Sequence, residues 1–263
     1  MRIATWNVNS IRTRIDRVTS WLERTDVDVL AIQETKCRDD QFPLMPFQAL
    51  GYDVATLGTN QWNGVAIVSR VGIDDIQYSF ASDQPEFGDP PAREPRAIGA
   101  VCNGVQMWSL YVPNGRELDH PHFAYKLSWL ESLRHSAAGW LAGDPQAQIV
   151  LAGDFNIAPQ DDDVWDMEAF DGKTHVSKPE REAFSTLVDA GFADIVRPHT
   201  PGPGVYTYWD YQQLAFPKRR GMRIDFLLGS PALEARVQDA WIDREERKGK
   251  GPSDHAPVIA ELE

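Results

Sequence analysis

Cysteine is nearly missing from this sequence: Cys37 and Cys102 are the only two in 263 residues. They supply neither a disulfide framework nor a metal-ligand spacing, and a reducing cytoplasm is the compartment that suits them. Long apolar runs are missing too. No stretch approaches the roughly 18 residues a membrane span needs, and the chain enters a strand pattern at Arg2 with no room for a signal peptide. No heptad array, low-complexity tract or composition break marks a linker, so one domain over residues 1–263 is expected. Positive charge is also short, with 26 Lys and Arg against 39 Asp and Glu and a formal net charge of −13. That balance counts against a nucleic-acid partner, because phosphate contacts need Lys and Arg. The distribution is uneven, however. Asp161-Asp162-Asp163 with Asp166 and Glu168 form an acidic block, while Lys218-Arg219-Arg220 with Arg223, and Arg12 with Arg14, form basic ones. An acidic body with a basic rim can still hold a polyanion, and a divalent metal can neutralise acidic ligands at its centre. Charge alone leaves the partner open.

What is present is a series of short apolar strands separated by helical patterns. Arg2–Trp6 reads as a strand, and Ser10 as the cap of a helix carrying Ile11, Ile15, Val18 and Leu22 at helical spacing. Asp28–Gln33 is a second strand delivering Glu34 at its end, followed by a loop around Pro43 and Pro46. Tyr52–Thr56 and Gly64–Ser69 are strand-like, and Asp83–Pro95 reads as a surface loop. Asn103-Gly104 is a hairpin signal joining Ile98–Cys102 to Val105–Val112. Pro121 opens a long helix with Phe123, Leu127, Leu130, Leu133 and Leu141 on its apolar side. Ser177-Lys178-Pro179-Glu180 is a capping-box signature for a helix stopping at Gly191. Val205–Tyr208, Arg223–Leu228, Ala235–Ile242 and Ala256–Leu262 read as strands. Strand-rich stretches with long helices in both halves suggest sheets packed on each other with helices outside.

Polar side chains arrive repeatedly where strands open into loops. The strand at Ile149–Ala152 ends in Gly153-Asp154-Phe155-Asn156. Residues two apart on an extended segment point the same way, so Asp154 and Asn156 should face one pocket with Phe155 turned to the core. A carboxylate beside a carboxamide suits a positioned base; the same letters also describe an Asx-turn closing the strand. Asn7, Glu34, Asp225 and the Ser253-Asp254-His255 segment repeat the pattern. Each has a bland reading singly, as turn residue, helix-start charge, structural ion pair or loop histidine. Together they suggest a site. Oxygen donors without Cys or paired His favour magnesium or manganese over zinc.

The motifs carry a resemblance that runs essentially end to end. Trp6-Asn7-Val8-Asn9, Gln33-Glu34-Thr35-Lys36, Asn63-Gly64-Val65-Ala66, Tyr111-Val112-Pro113-Asn114-Gly115 and Gly153-Asp154-Phe155-Asn156 are followed by Tyr208-Trp209-Asp210-Tyr211, Arg220-Gly221-Met222-Arg223-Ile224-Asp225 and Ser253-Asp254-His255. The chain resembles the exonuclease III family of bacterial abasic-site endonucleases and 3′-exonucleases, within the DNase I-like endonuclease/exonuclease/phosphatase superfamily. The resemblance implies a four-layer α/β sandwich, two mixed β-sheets face to face with helices outside and the site at one edge. It implies Glu34 as main Mg2+ ligand (Mn2+ as a possible substitute), with Asn7 and Asn9 in or beside that shell and Asp254 as an outer acid. Asp154 would position or deprotonate the attacking water, oriented by Asn156. Asp225 would pair with His255, and Tyr111 and Asn114 would contact phosphate. Trp209 is similar to a sugar-pocket aromatic. Phe216 and Met222 are candidates for a wedge into the duplex, because Gln212–Lys218 looks longer than in many relatives. Lys36, Arg70, Arg96, Lys126, Arg219 and Arg223 are candidate phosphate contacts.

The function implied is a Mg2+-dependent DNA-repair phosphodiesterase that cuts 5′ of abasic sites and trims 3′ ends of duplex DNA. It would act as a cytoplasmic monomer without an organic cofactor. Two other readings compete. One is a non-catalytic nucleic-acid-binding adaptor of the same fold. The other is a phosphatase acting on inositol phosphates or phospholipids.

Overall fold

The computed structural model describes residues 1–81 and 83–263. In chain order the strands are β1 (Arg2–Asn7), β2 (Val29–Gln33), β3 (Asp53–Leu57), β4 (Val65–Ser69), β5 (Asp74–Gln77), β6 (Ala97–Cys102), β7 (Val105–Tyr111), β8 (Ile149–Asp154), β9 (Ala193–Asp194), β10 (Asp225–Gly229), β11 (Val237–Ile242) and β12 (Val258–Leu262). The helices are α1 (Ile11–Thr25), α2 (Leu44–Ala49), α3 (Pro121–Gly143), α4 (Lys178–Asp189) and α5 (Pro231–Glu234). They build two six-stranded sheets, ordered β11-β12-β1-β2-β4-β3 and β5-β6-β7-β8-β10-β9. Each sheet is antiparallel except at one pair, β1 with β2 in the first and β7 with β8 in the second.

Side-chain alternation makes the layers. Ile3, Val29, Ala31 and Ile67 of the first sheet meet Ile98, Met107, Val150 and Ala152 of the second in a core between the sheets. The alternate residues Trp6, Leu30 and Ile32 face outward onto Val18, Trp21 and Leu22 of α1 and Phe47 of α2. Leu151, Phe155 and Phe226 likewise face Leu130 and Leu133 of α3 and Phe184 and Leu187 of α4. The result is the expected four-layer sandwich. No helix among the described residues is long and apolar enough to cross a membrane.

The inter-sheet face changes character along the strands. It is apolar through most of their length, then becomes polar at the carboxyl ends of β1, β2, β7 and β8. There Thr5 Oγ1 donates to Gln33 Oε1 at 3.1 Å, Gln33 Nε2 donates to Ser109 Oγ at 3.0 Å, and Ser109 Oγ donates to the Ile32 carbonyl at 2.8 Å. This buried seam couples the two sheets directly beneath the edge where Asn7, Glu34, Tyr111 and Asp154 emerge.

Several local expectations need revising. The segment around Pro43 and Pro46 contains α2, because Pro46 falls in its first turn, where a missing N–H costs little. Ser10 precedes α1, but its side chain makes no cap bond; its Oγ meets Thr13 Oγ1 at 3.0 Å, and its φ is 91°. Val205–Tyr208 is not a strand: only Tyr208 bridges, to Met222 and His255. β5, exposed at every residue, and the two-residue β9 carry no apolar pattern to announce them.

Candidate active site

The convergence of strand ends is topological. β1 and β2 run parallel with Asn7 opposite Gln33, and β7 and β8 run parallel with Tyr111 opposite Asp154. Antiparallel β10 starts at the same edge, with Asp225 opposite Asp154. His255 arrives there three residues before β12 begins. Six polar side chains from both sheets therefore share one edge.

Asp154 is the most constrained of them. It is 1 % exposed. Its Oδ1 accepts the Asn156 N–H at 2.9 Å, and its Oδ2 accepts Asn7 Nδ2 at 3.0 Å. The first bond is an Asx-turn, and it leaves the carboxylate at the shared strand edge, so the two readings are compatible in one geometry. Asn156, at φ 51°, orients Asp154 through its backbone, while its side chain donates to the Val112 carbonyl and accepts from Asn114 Nδ2 at 3.2 Å. Burial raises the proton affinity of Asp154, and the Asp225 and Glu34 carboxylates add to this against the opposing pull of His255.

His255 faces it. Its Nδ1 lies 2.8 Å from Asp225 Oδ2 and its Nε2 3.7 Å from Asp154 Oδ2. Burial disfavours the imidazolium, but the two carboxylates outweigh burial and hold the ring protonated well above the usual histidine range. Asn7 Nδ2 also donates to Glu34 Oε1 at 2.9 Å, and Lys36 Nζ pairs with Glu34 Oε2 at 2.8 Å. Burial opposes the charge on Glu34; Lys36 and the Asn7 hydrogen bond overcome it, so its carboxyl sits below the ordinary range. Tyr111 lies under the Arg96 guanidinium, 4.8 Å from the ring centre. Burial and the nearby Glu34 push its phenol far up, so the hydroxyl stays protonated and can donate.

Glu34, Asp154 and His255 bring possible ligand atoms within 4.8 Å of one another. A metal ligand must offer a lone pair, and an imidazole held protonated offers an N–H instead. That leaves the carboxylates, and a group of acids gathered at one edge and faced by His255 and Lys36 fits a hard divalent cation. Asn9 and Asp254 lie one step out. They are joined to each other at 3.1 Å, and Asn9 Oδ1 accepts from Lys36 Nζ at 2.5 Å.

A family model described as the endonuclease/exonuclease/phosphatase family matches residues 4–255. This chain belongs to that family. Among curated relatives, an exodeoxyribonuclease of Bacillus subtilis is 29% identical over 261 residues, covering 98% of both chains. Exodeoxyribonuclease III of Haemophilus influenzae is 28% identical over the full length of both. Among solved structures, a 3′ phosphatase from Neisseria bound to a product DNA hairpin is 38% identical with a TM-score of 0.93, covering 100% of this chain and 99% of that one. An AP endonuclease from Archaeoglobus fulgidus is 34% identical with a TM-score of 0.92, again covering 100% and 99%.

Within this endonuclease/exonuclease/phosphatase fold, several side chains expected at the DNA surface are elsewhere. Trp209 is 1 % exposed and packs on Tyr206 and Phe216, so the aromatic lining the hollow beside His255 is its neighbour Tyr208. Arg223 is equally buried, paired with Asp194 at 2.6 Å and stacked over Phe226. Arg70 follows β4 at the opposite edge and pairs with Asp26 and Asp28. Arg96 is buried against Glu94. Phe216 is half-buried and held between Trp209 and the guanidinium groups of Arg244 and Arg247. Met222 lines the hollow but is 8 % exposed; the exposed large hydrophobic side chains of the 210–219 loop are Tyr211 and Leu214. Arg219 is exposed on that loop.

Lys126 is fully buried and serves the site from beneath. Its Nζ pairs with Glu180 at 2.5 Å and donates to the carbonyls of Asn156 at 2.7 Å and Asn114 at 3.2 Å. It thereby ties together the two loops that carry those side chains. Sequence reasoning placed Glu180 only as a capping acid. Its carboxylate does accept Ser177 N–H, but it also accepts His175 N–H and holds Lys126. His175 itself, at φ 79° with Nε2 3.5 Å from Asn114 Nδ2, carried no signal in the sequence.

Proposed function

We infer that this chain is a magnesium-dependent DNA-repair phosphodiesterase of the exonuclease III type. It cuts 5′ of abasic sites and removes nucleotides or blocking groups from the 3′ ends of duplex DNA. The observation that supports this most is the opposition of two differently tuned groups across one pocket: Asp154, buried and fixed by two donors, and His255, held protonated by Asp225. Phosphodiester hydrolysis needs a base that orients water and a donor for the phosphoryl oxygens. Asp154 can take a proton from water on a lone pair not used by these bonds, while Asn7 and the Asn156 N–H keep the carboxylate from turning. His255 offers Nε2–H to a non-bridging oxygen. Tyr111 offers its hydroxyl to a second oxygen or to the leaving 3′-oxygen, and Asn114 reaches the same phosphate. Glu34, with Asn7, Asn9 and Asp254 around it, would hold magnesium or manganese, whose chemistry is neutralisation of charge at the phosphoryl group. The relatives' names point to DNA as substrate, and the basic 218–220 stretch gives this acidic chain a rim for the backbone.

The test is cleavage of a labelled duplex carrying one abasic-site analogue, in magnesium and then in EDTA, for the wild type and Asp154→Ala. An undamaged duplex with a recessed 3′ end runs alongside to apportion the two activities. Metal-dependent cutting 5′ of the lesion, reduced at least ~100-fold in the variant, is the expected result. Binding without cutting of either duplex would favour the adaptor. Release of phosphate from inositol phosphates with no action on DNA would favour the small-molecule phosphatase.

A further inference from the structure

Trp62 is 63 % exposed and belongs to none of the hydrophobic clusters among the described residues. It stands in the 59–63 loop, at the same edge as the site. The Trp62 N–H bonds Asn60 Oδ1 at 2.8 Å, an Asx turn that gives the loop a fixed shape. The adjoining Asn63 carbonyl accepts the Lys36 N–H at 2.9 Å, and Gly64 carbonyl accepts the Thr35 N–H at 3.1 Å. The loop backbone that carries the indole is therefore anchored next to the segment whose Lys36 pairs with Glu34.

Two hollows flank it. One is lined by Arg93 and Arg116, the other by Arg12 and Arg38, and all four arginines are exposed. Arg38 shares its charge with Asp40, and Glu94 in the first hollow is already held by Arg96 and Asn63. Even so, this is an aromatic ridge between cationic walls on a chain of net charge −13. None of the other large exposed hydrophobic side chains among the described residues lines either hollow. A protein interface would call for a contiguous apolar patch. One exposed ring between arginines matches an anionic chain that carries its own flat rings.

We propose that Trp62 is a stacking platform for an unpaired nucleobase beside the scissile phosphate, with Arg12, Arg38, Arg93 and Arg116 steering the phosphates on either side. This rests on the nuclease reading and deepens it. Bases inside a duplex have both faces covered by their neighbours and a terminal pair has one face free, so an unpaired or frayed nucleotide is the one that can offer Trp62 a base free to move onto the ring. The site therefore favours substrates with a short single-stranded tail at the end being processed. Stacking of this kind is tolerant of base identity.

The experiment uses three duplexes, one blunt and two with a short unpaired tail on the 3′ or the 5′ side, each tail carrying 2-aminopurine. Binding is read in EDTA and cleavage in magnesium, for the wild type, Trp62→Ala and Trp62→Phe. The wild type is expected to quench 2-aminopurine in one tail. Trp62→Ala is expected to lose the quenching and to weaken binding of that tailed duplex about tenfold more than it weakens the blunt one. Trp62→Phe should recover most of both. Equal quenching and affinity in the wild type and Trp62→Ala, with both still cleaving DNA, would overturn the platform and leave the nuclease reading standing. A self-association of the wild type that Trp62→Ala abolishes, with tail binding unchanged, would overturn it in favour of a copy-to-copy contact. A wild type that neither binds nor cleaves any of the duplexes would overturn both.

Discussion

The carboxylates of Asp154 and Asp225 lie opposite one another across β8 and β10, yet they do different work because their partners differ. Asp154 is held by neutral N–H donors and faces the pocket. Asp225 is turned onto His255 Nδ1, at 2.8 and 3.0 Å from its two oxygens. His255 must be charged to donate from Nε2 while Nδ1 also donates, and the raised proton affinity supplied by Asp225 and Asp154 keeps it so. A group needed in its protonated form loses activity as pH rises through its pKa, so the wild-type alkaline limb belongs above the ordinary histidine range. Asp225→Asn removes the largest favourable charge. Its alkaline limb is expected to move to lower pH and its turnover at pH 8 to fall roughly 10- to 100-fold. A pH–rate profile of both proteins at saturating magnesium decides it, and superimposable profiles would remove the His255–Asp225 pair from the mechanism.

At the scale of elements, the loop from Tyr111 to the start of α3 carries Asn114 and is pinned by His122. The His122 ring packs edge-on against Phe87 and accepts the Gly115 N–H on Nδ1 at 3.0 Å. Burial, with Arg96 and Arg116 nearby, pushes His122 down to about 4 from an unfolded value near 6.5. Here the folded state holds its proton less tightly than the unfolded state. The stability His122 contributes is complete above about pH 6.5 and is lost as pH falls toward 4, a change of roughly 2–3 kcal/mol. Protonation would also cancel the bond from Gly115. His122→Asn keeps an acceptor and removes the titration, so urea unfolding of the variant should lose less stability than the wild type between pH 6.5 and 4. Parallel losses would place the acid sensitivity elsewhere, at His175 for example, which burial and the Lys126 ammonium push down to about 3. The same loop shows what was legible. Strand ends delivering Asn7, Glu34, Asp154 and Asp225 follow from alternation and turn chemistry, which are local. Lys126 falls within the apolar spacing of α3, yet its charge reads as a surface phosphate contact, because its partner Glu180 comes from α4 and its acceptors from two distant loops. Trp209 and Arg223 sit in motifs that read as surface, and only the packing of Phe216 and Asp194 against them shows otherwise. Exposed β5 and the bridged but strandless Tyr208 segment are made by neighbours, not by their own pattern.

For the whole molecule, the site joins halves that are far apart in sequence. β1 and β2 bring Asn7 and Glu34, β7 and β8 bring Tyr111 and Asp154, and the Thr5–Gln33–Ser109 seam keeps the two sheets in register. The acids collected there repel one another in a chain that is already at −13. A cation that binds this arrangement has nothing comparable to bind in the unfolded chain, where the same carboxylates are scattered. Magnesium should therefore stabilise the fold by mass action. At about ten times its dissociation constant the gain is roughly 1.4 kcal/mol, and for a protein of this size that raises the melting temperature by about 3–6 °C. Glu34→Gln keeps the shape of the side chain and the contact with Asn7 but removes the charge that draws the ion, so the magnesium-dependent rise should vanish in it. Melting curves of both proteins across a magnesium titration, at constant ionic strength to hold general screening fixed, separate site binding from nonspecific charge relief. An equal rise in Glu34→Gln would mean that the ion acts on the acidic body at large and that Glu34 is not its ligand.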